Sequence, residues 1–200
     1  MQRAVHMRVP LRSVLISAVL LLFTCAGAHA HVVPGDVRGF GSGFVHPLHG
    51  LDHLLAMTAV GLWAAQLGGR ARWLVPASFV GVMIVGAALA MSGLRLPFAE
   101  EGILLSVLVL GILVTIAAQF PLAASMAIVG LFALFHGHSH GTEISANAVG
   151  FAYGAGLALA TAALHTCGIG LACVAQSVRL PVVRWAGAAI AVAGICLWVL

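Results

Sequence analysis

The sequence predicts an all-α, polytopic integral membrane protein, with six transmembrane helices behind a cleaved N-terminal signal peptide. Three observations carry that expectation. Of the 200 residues, 62% are hydrophobic and only 7% are charged, with no lysine at all, whereas a soluble domain carries about 25% charged residues. The apolar residues form long runs divided by short loops that hold most of the arginines. The first thirty residues have the three-part pattern of a secretory signal. The nine arginines are scattered and form no basic stripe. Nucleic acid is therefore excluded as a partner, and the lipid bilayer is the expected surroundings.

Taken in order, Arg3, Arg8 and Arg12 make a positive n-region, residues 13–23 an apolar h-region, and Ala28-His29-Ala30 a small-x-small cleavage site. Residues 1–30 are thus the signal peptide, and cleavage leaves His31 as the mature N-terminus outside the cytoplasm. Residues 31–200 form one transmembrane domain, after a short lead-in holding Asp36 and Arg38. Its spans are expected at about 44–67, 73–91, 99–119, 122–138, 146–175 and 185–200. Pro121 separates the third from the fourth. The fifth is longer than a perpendicular crossing needs, so it is tilted or bent. The sixth is short. Glu100 and Glu101 open the third span, where a helix N-terminus favours negative charge.

Charge sets the orientation. With the mature N-terminus outside, the inner loops hold Arg70, Arg72, Arg179 and Arg184, and the outer segments hold Arg38 and Arg95. That satisfies the positive-inside rule, with both termini outside. In a Gram-negative cell this is the inner membrane, with the N-terminus in the periplasm. Cys25 leaves with the signal. Cys167, Cys173 and Cys196 lie in apolar runs without a C-x-x-C and read as small buried packing residues. Gly150-x-x-x-Gly154, followed by Ala158, reads as a small-residue face for helix contact.

The chemistry lies in two clusters. His46-Pro47-Leu48-His49-Gly50-Leu51-Asp52-His53 puts three imidazoles and a carboxylate into one short stretch. On a continuous helix His46, His49, Asp52 and His53 share roughly a third of the circumference. Pro47 suits a first helical turn, where its missing N–H costs nothing. The second cluster, His136-Gly137-His138-Ser139-His140-Gly141-Thr142-Glu143, ends the fourth span. If the helix continues, His136, His140 and Glu143 fall within about 60° of one another and His138 points to the opposite side. The topology brings both clusters to the outer end of their spans. His165, in Leu164-His165-Thr166-Cys167-Gly168, lies about 30 Å along the fifth span, toward the inner side. It reads as an inner step of a path. Ionisable groups at membrane depth are costly and mark function. Imidazole suits Ni, Co, Zn, Cu and Fe. No Cys or Met flanks the clusters, which argues against Cu(I), and Mg or Ca would need mainly oxygen.

These stretches resemble a known family. The first matches the HPxxGxDH signature of the HupE/UreJ nickel permeases. Phe135-His136-Gly137-His138-Ser139-His140-Gly141-Thr142-Glu143 resembles their second signature, FHGxAHGxE, with Ser139 in place of the usual Ala. Leu164-His165 with Gly168-Ile169 resembles their third histidine element. The resemblance extends over the whole mature chain. It implies that His46, Asp52, His53, His136, His140, Glu143 and His165 carry the function, while His49 and His138 sit at variable positions. His49 stays in the candidate ligand set on its helical face alone.

The resemblance implies a secondary permease, not an enzyme. It would move Ni²⁺ or Co²⁺ from periplasm to cytoplasm for hydrogenase, urease or cobalamin synthesis, the ion being substrate and no cofactor being permanently bound. No GxxxxGK[ST] loop is present. Transport therefore follows the gradient or membrane potential, or is driven by another subunit. The rival from another class is an intramembrane metal-dependent hydrolase, for which HExxH and a serine nucleophile motif are both absent.

Overall fold

A computed structural model describes residues 39–144, 147–177 and 181–199. Within them the chain forms seven helices and no strand: α1 (Gly39–His49), α2 (Leu51–Leu67), α3 (Ala71–Met91), α4 (Ala99–Ile116), α5 (Leu122–Glu143), α6 (Ala148–Ser177) and α7 (Val182–Val199). The expected signal peptide, His31, Asp36, Arg38 and Arg179 lie outside the described residues. The helices α3 to α7 are long and apolar enough to cross a membrane, and α6 stays helical over 30 residues. That is about 45 Å, against a hydrocarbon core of about 30 Å.

The first expected span is not one helix. It breaks at Gly50, whose backbone is extended (φ −89°, ψ 114°). The cause is local. The Asp52 and His53 side chains fold back over Gly50, so a Cβ there would meet Asp52 Oδ1 at 2.8 Å and His53 Nδ1 at 3.2 Å. α1, at 11 residues, is about 16 Å long and too short to cross. α2 has 17 residues, near the lower limit for a span.

α2 is the central helix. It packs on α6, α4, α3 and α1, and Ala56, Met57, Val60, Leu62, Trp63 and Ala64 are all buried. A helix that is apolar all round belongs inside. Around it α3 pairs with α5 and α4 with α7, while α1 lies beside α2 on α6. Lipid gives helices no hydrophobic reason to associate, so close backbone approach must hold them. Glycines supply it. A Cβ on Gly137 would collide with the Met83 carbonyl, and one on Gly61 with the His165 carbonyl. On α6 the close contacts are made by Gly156, against the Phe40 carbonyl, and Gly168, against the Thr58 carbonyl. Gly154, read from sequence as part of the contact face, meets only Ile144 Cδ1 at 3.9 Å.

The outer faces carry exposed Phe151, Trp185, Val192 and Trp198, as a lipid-facing surface requires. Cys167 and Cys196 are also exposed, and Cys173 is half-buried. The expectation of buried thiols is corrected for the first two: their helices turn those positions away from the bundle.

The two ends of the bundle differ. At one, Trp63 Nε1 donates to the Ala118 carbonyl (2.9 Å), Gln66 Nε2 to that of Val114 (3.0 Å) and Arg184 Nε to that of Thr115 (2.8 Å). These side chains bond to carbonyls at and just beyond the end of α4. The histidines gather at the other end.

Candidate metal centre

Three elements meet at that end. α1 brings His46, the start of α2 brings Asp52 and His53, and the last two turns of α5 bring His136, His140 and Glu143. The α5 helix continues through Gly137 and Gly141 to Glu143. Glycine is a poor helix residue. Here it is needed because the Met83 and Ala87 carbonyls of α3 approach those two positions too closely for any side chain.

The mouth is formed by His46, His140 and Glu143. One ligand atom from each lies within 4.8 Å of the others, a spacing able to hold an ion. His46 Nε2 is 3.8 Å from Glu143 Oε2, with side chains 29% and 49% exposed. His46, on the short helix α1, titrates below its ordinary value because burial disfavours the imidazolium, against the opposing pull of Glu143. Its lone pair is therefore available near neutral pH. The C-terminal ends of α1 and α5 also point here, and their partial negative charge favours a cation.

From the mouth the rings run inward. The His46 and His140 centroids are 4.9 Å apart, His140 and His53 4.5 Å, and His53 and His136 4.8 Å. Phe79 of α3 then stands 5.6 Å from His136 and 5.1 Å from His165. His140, His136 and His165 are almost wholly buried. His165 thus lies past Phe79, at the deep end of one column of rings.

The hydrogen bonds decide which ring nitrogens keep a free lone pair. Asp52 Oδ1 accepts the backbone N–H of His53 (2.8 Å) and its ring Nδ1–H (3.0 Å). That fixes the tautomer and leaves Nε2 with a bare lone pair, buried and without a partner. Ser106 of α4 does the same for His136. Its hydroxyl proton goes to the Ile103 carbonyl (2.6 Å), so Oγ can only accept from His136 Nε2–H (3.0 Å). His136 Nδ1 is left bare, again buried and unpartnered. His140 Nε2 and both nitrogens of His165 are likewise buried without partners. A buried polar atom without a partner needs an explanation, and an ion is one.

Two histidines from the sequence clusters stand apart. His49, a candidate ligand on a continuous helix, is exposed, and its Nδ1–H donates to the Val45 carbonyl (3.1 Å). The break at Gly50 turns it out of the set. His138 points away from the column, toward the loop between α3 and α4. Its Nε2 lies 3.0 Å from the Leu96 N–H and 2.8 Å from the Leu94 carbonyl. Sequence reasoning missed Ser106, Phe79 and Tyr153. Ser106 had a signal, as a lone polar residue inside an apolar run. So did Tyr153, the single tyrosine of the chain.

The family profile described as HupE / UreJ protein matches residues 18–197. The chain belongs to the HupE/UreJ family. Among its relatives is Protein HupE of Rhizobium leguminosarum bv. viciae, 47% identical over 174 residues, which cover 86% of this chain and 90% of that protein. No solved structure matches. The histidines and carboxylates of the two HupE/UreJ signatures are, His49 and His138 apart, the groups that meet at the mouth and in the upper column.

Proposed function

We propose that this HupE/UreJ protein is a secondary permease that moves a divalent transition-metal ion, Ni²⁺ or Co²⁺, from the periplasm to the cytoplasm. The observation that carries the reading is the column of closely spaced imidazoles, in which His53, His136, His140 and His165 each keep a buried nitrogen without a hydrogen-bond partner. The ion enters at His46, His140 and Glu143, which replace part of its water shell. It passes to His53 and His136, held in their ligating tautomers by Asp52 and Ser106, and leaves past Phe79 by way of His165. An inward-negative potential favours cation entry by about 2.3 kcal/mol per charge per 100 mV. Arg70, Arg72 and Arg184 lie on the loops and helix ends away from the histidines, which supports a periplasmic mouth by the positive-inside rule. The α2 helix serves as a sixth span. The metal supplies hydrogenase, urease or cobalamin synthesis, as membership of the HupE/UreJ family and its signature residues suggest. The hydrolase reading gains no support: Asp52 Oδ1 is engaged by His53, and HExxH and a serine nucleophile motif are absent from the sequence.

The test is uptake of labelled Ni²⁺ and Co²⁺ by cells lacking their own importers. Expression should give saturable uptake of one or both, and competition between them gives the preference. Uptake no greater than in cells without the protein would overturn the proposal.

A further inference from the structure

Tyr153 has no assigned part in this site, yet it is built into its wall. It lies on α6, is 1% exposed, and its hydroxyl is buried without a hydrogen-bond partner. Its ring meets His46 edge-on, with centroids 5.7 Å apart at 70°. Two backbone contacts hold it there. A Cβ on Gly43 of α1 would collide with the Tyr153 carbonyl, and a Cβ on Gly156, one turn further along α6, with the Phe40 carbonyl. These contacts keep this turn of α6 pressed against α1, with the Tyr153 side chain buried. At this position a phenylalanine would fill the same space without burying an unpaired hydroxyl. A phenol ionises near pH 10, so at neutral pH this one is a donor and not an anionic ligand.

The mouth offers three ligand groups. A divalent ion held by three protein groups keeps water in a remaining position. We infer that Tyr153 is a positioning residue of the outer site, its O–H donating a hydrogen bond to a water that the ion at His46, His140 and Glu143 retains. This rests on the metal-transport reading. The hydroxyl has a partner only when the ion is present, which explains why it has none among the protein's own groups. It steadies the hydrated ion while His46 and His140 replace the other waters.

The test uses the full chain in detergent and the isosteric change Tyr153→Phe, with Ni²⁺ and Co²⁺ as the probes. Three readouts are taken: Kd by calorimetry, melting temperature with and without Ni²⁺, and the visible absorption of the Co²⁺-loaded protein. Partners just outside a ligand set typically change metal affinity by about 10–100-fold. The expected result is Kd raised about tenfold, a metal-free melting temperature equal to or above the parent's, and shifted Co²⁺ bands at saturation. A hydroxyl with a structural role would instead lower the metal-free melting temperature and leave Kd and the Co²⁺ bands alone, which would overturn the inference. Equal Kd and identical bands in two well-folded proteins would overturn it too. A parent that binds neither Ni²⁺ nor Co²⁺ overturns the metal reading itself, and this inference with it.

Discussion

Ser106→Ala isolates the tautomer argument from the ligands themselves. The change removes one oxygen from a wholly buried position and touches no atom that would reach the ion. In the parent, His136 Nε2–H donates to Ser106 Oγ over 3.0 Å, which leaves Nδ1 buried and without a partner. When Nδ1 binds a cation the ring is polarised and its N–H becomes a stronger donor. A neutral hydrogen bond contributes about 0.5–1.5 kcal/mol and one to a charged group about 1.5–3. The difference, about 1 kcal/mol, is what the metal-bound state loses beyond the metal-free state. Without Ser106 the two tautomers also become nearly equal, which costs about another factor of two in competent protein. Together these give roughly a tenfold rise in Kd. Calorimetric titration of purified variant and parent with Ni²⁺ measures it, and initial uptake rates should show a raised KM. A Kd within twofold of the parent, in a variant that melts normally, would refute the assignment of the His136 tautomer.

Other perturbations separate groups that composition alone treats alike. His136→Ala, His140→Ala and Glu143→Gln should each nearly abolish uptake at matched membrane expression, whereas His49→Ala should leave it near the parent level. His138→Ala should also retain uptake while lowering stability by about 0.5–1.5 kcal/mol, since its Nε2 makes one hydrogen bond to the part-buried α3–α4 loop, with either the Leu96 N–H or the Leu94 carbonyl. A dead His138→Ala beside an active Glu143→Gln would mean that the ligand set is wrongly drawn. Uptake should be full near neutral pH and fall as external pH drops below about 6.5, as His46, with its lowered pKa, gains a proton and can no longer ligate. A flat profile down to about pH 5 at constant membrane potential would contradict this. Gly61→Ala should destabilise the bundle by about 1–3 kcal/mol in thermal melts, because its Cβ runs into the His165 carbonyl. Gly81→Ala, which meets nothing within 4 Å, should be neutral or stabilising by up to about 1 kcal/mol.

What the sequence showed and what it hid follow from the reach of each interaction. Spans α3 to α7 were legible because hydropathy acts residue by residue. The signature histidines were legible because dense imidazole in an apolar chain has few uses. The break at Gly50 was not, since periodicity favoured one helix through 44–67 and the contrary cause is two side chains folding back on the backbone. That one break moved His49 out of the site. Ser106 was visible as a polar residue in a span. Its role depends on where its proton goes, and that is set by the Ile103 carbonyl and by α5, thirty residues away. Tyr153 and Phe79 matter through helix pairing, α1 on α6 and α3 on α5, which hydropathy does not encode. The glycines that permit those pairings are legible as glycines, but which of them touch is decided in three dimensions. Gly156 and Gly168 do so, and Gly154 barely does.

The central claim is that the buried column conducts an ion and does not merely hold one. Purified protein in liposomes, with a Ni²⁺-sensitive dye inside and an inward-negative potential, tests it most directly. The account predicts saturable Ni²⁺ or Co²⁺ entry that rises with the potential and disappears in His53→Ala and His136→Ala, although both variants keep His46, His140 and Glu143 at the mouth. Binding of the ion without any flux, or flux that survives the loss of both inner imidazoles, would contradict it.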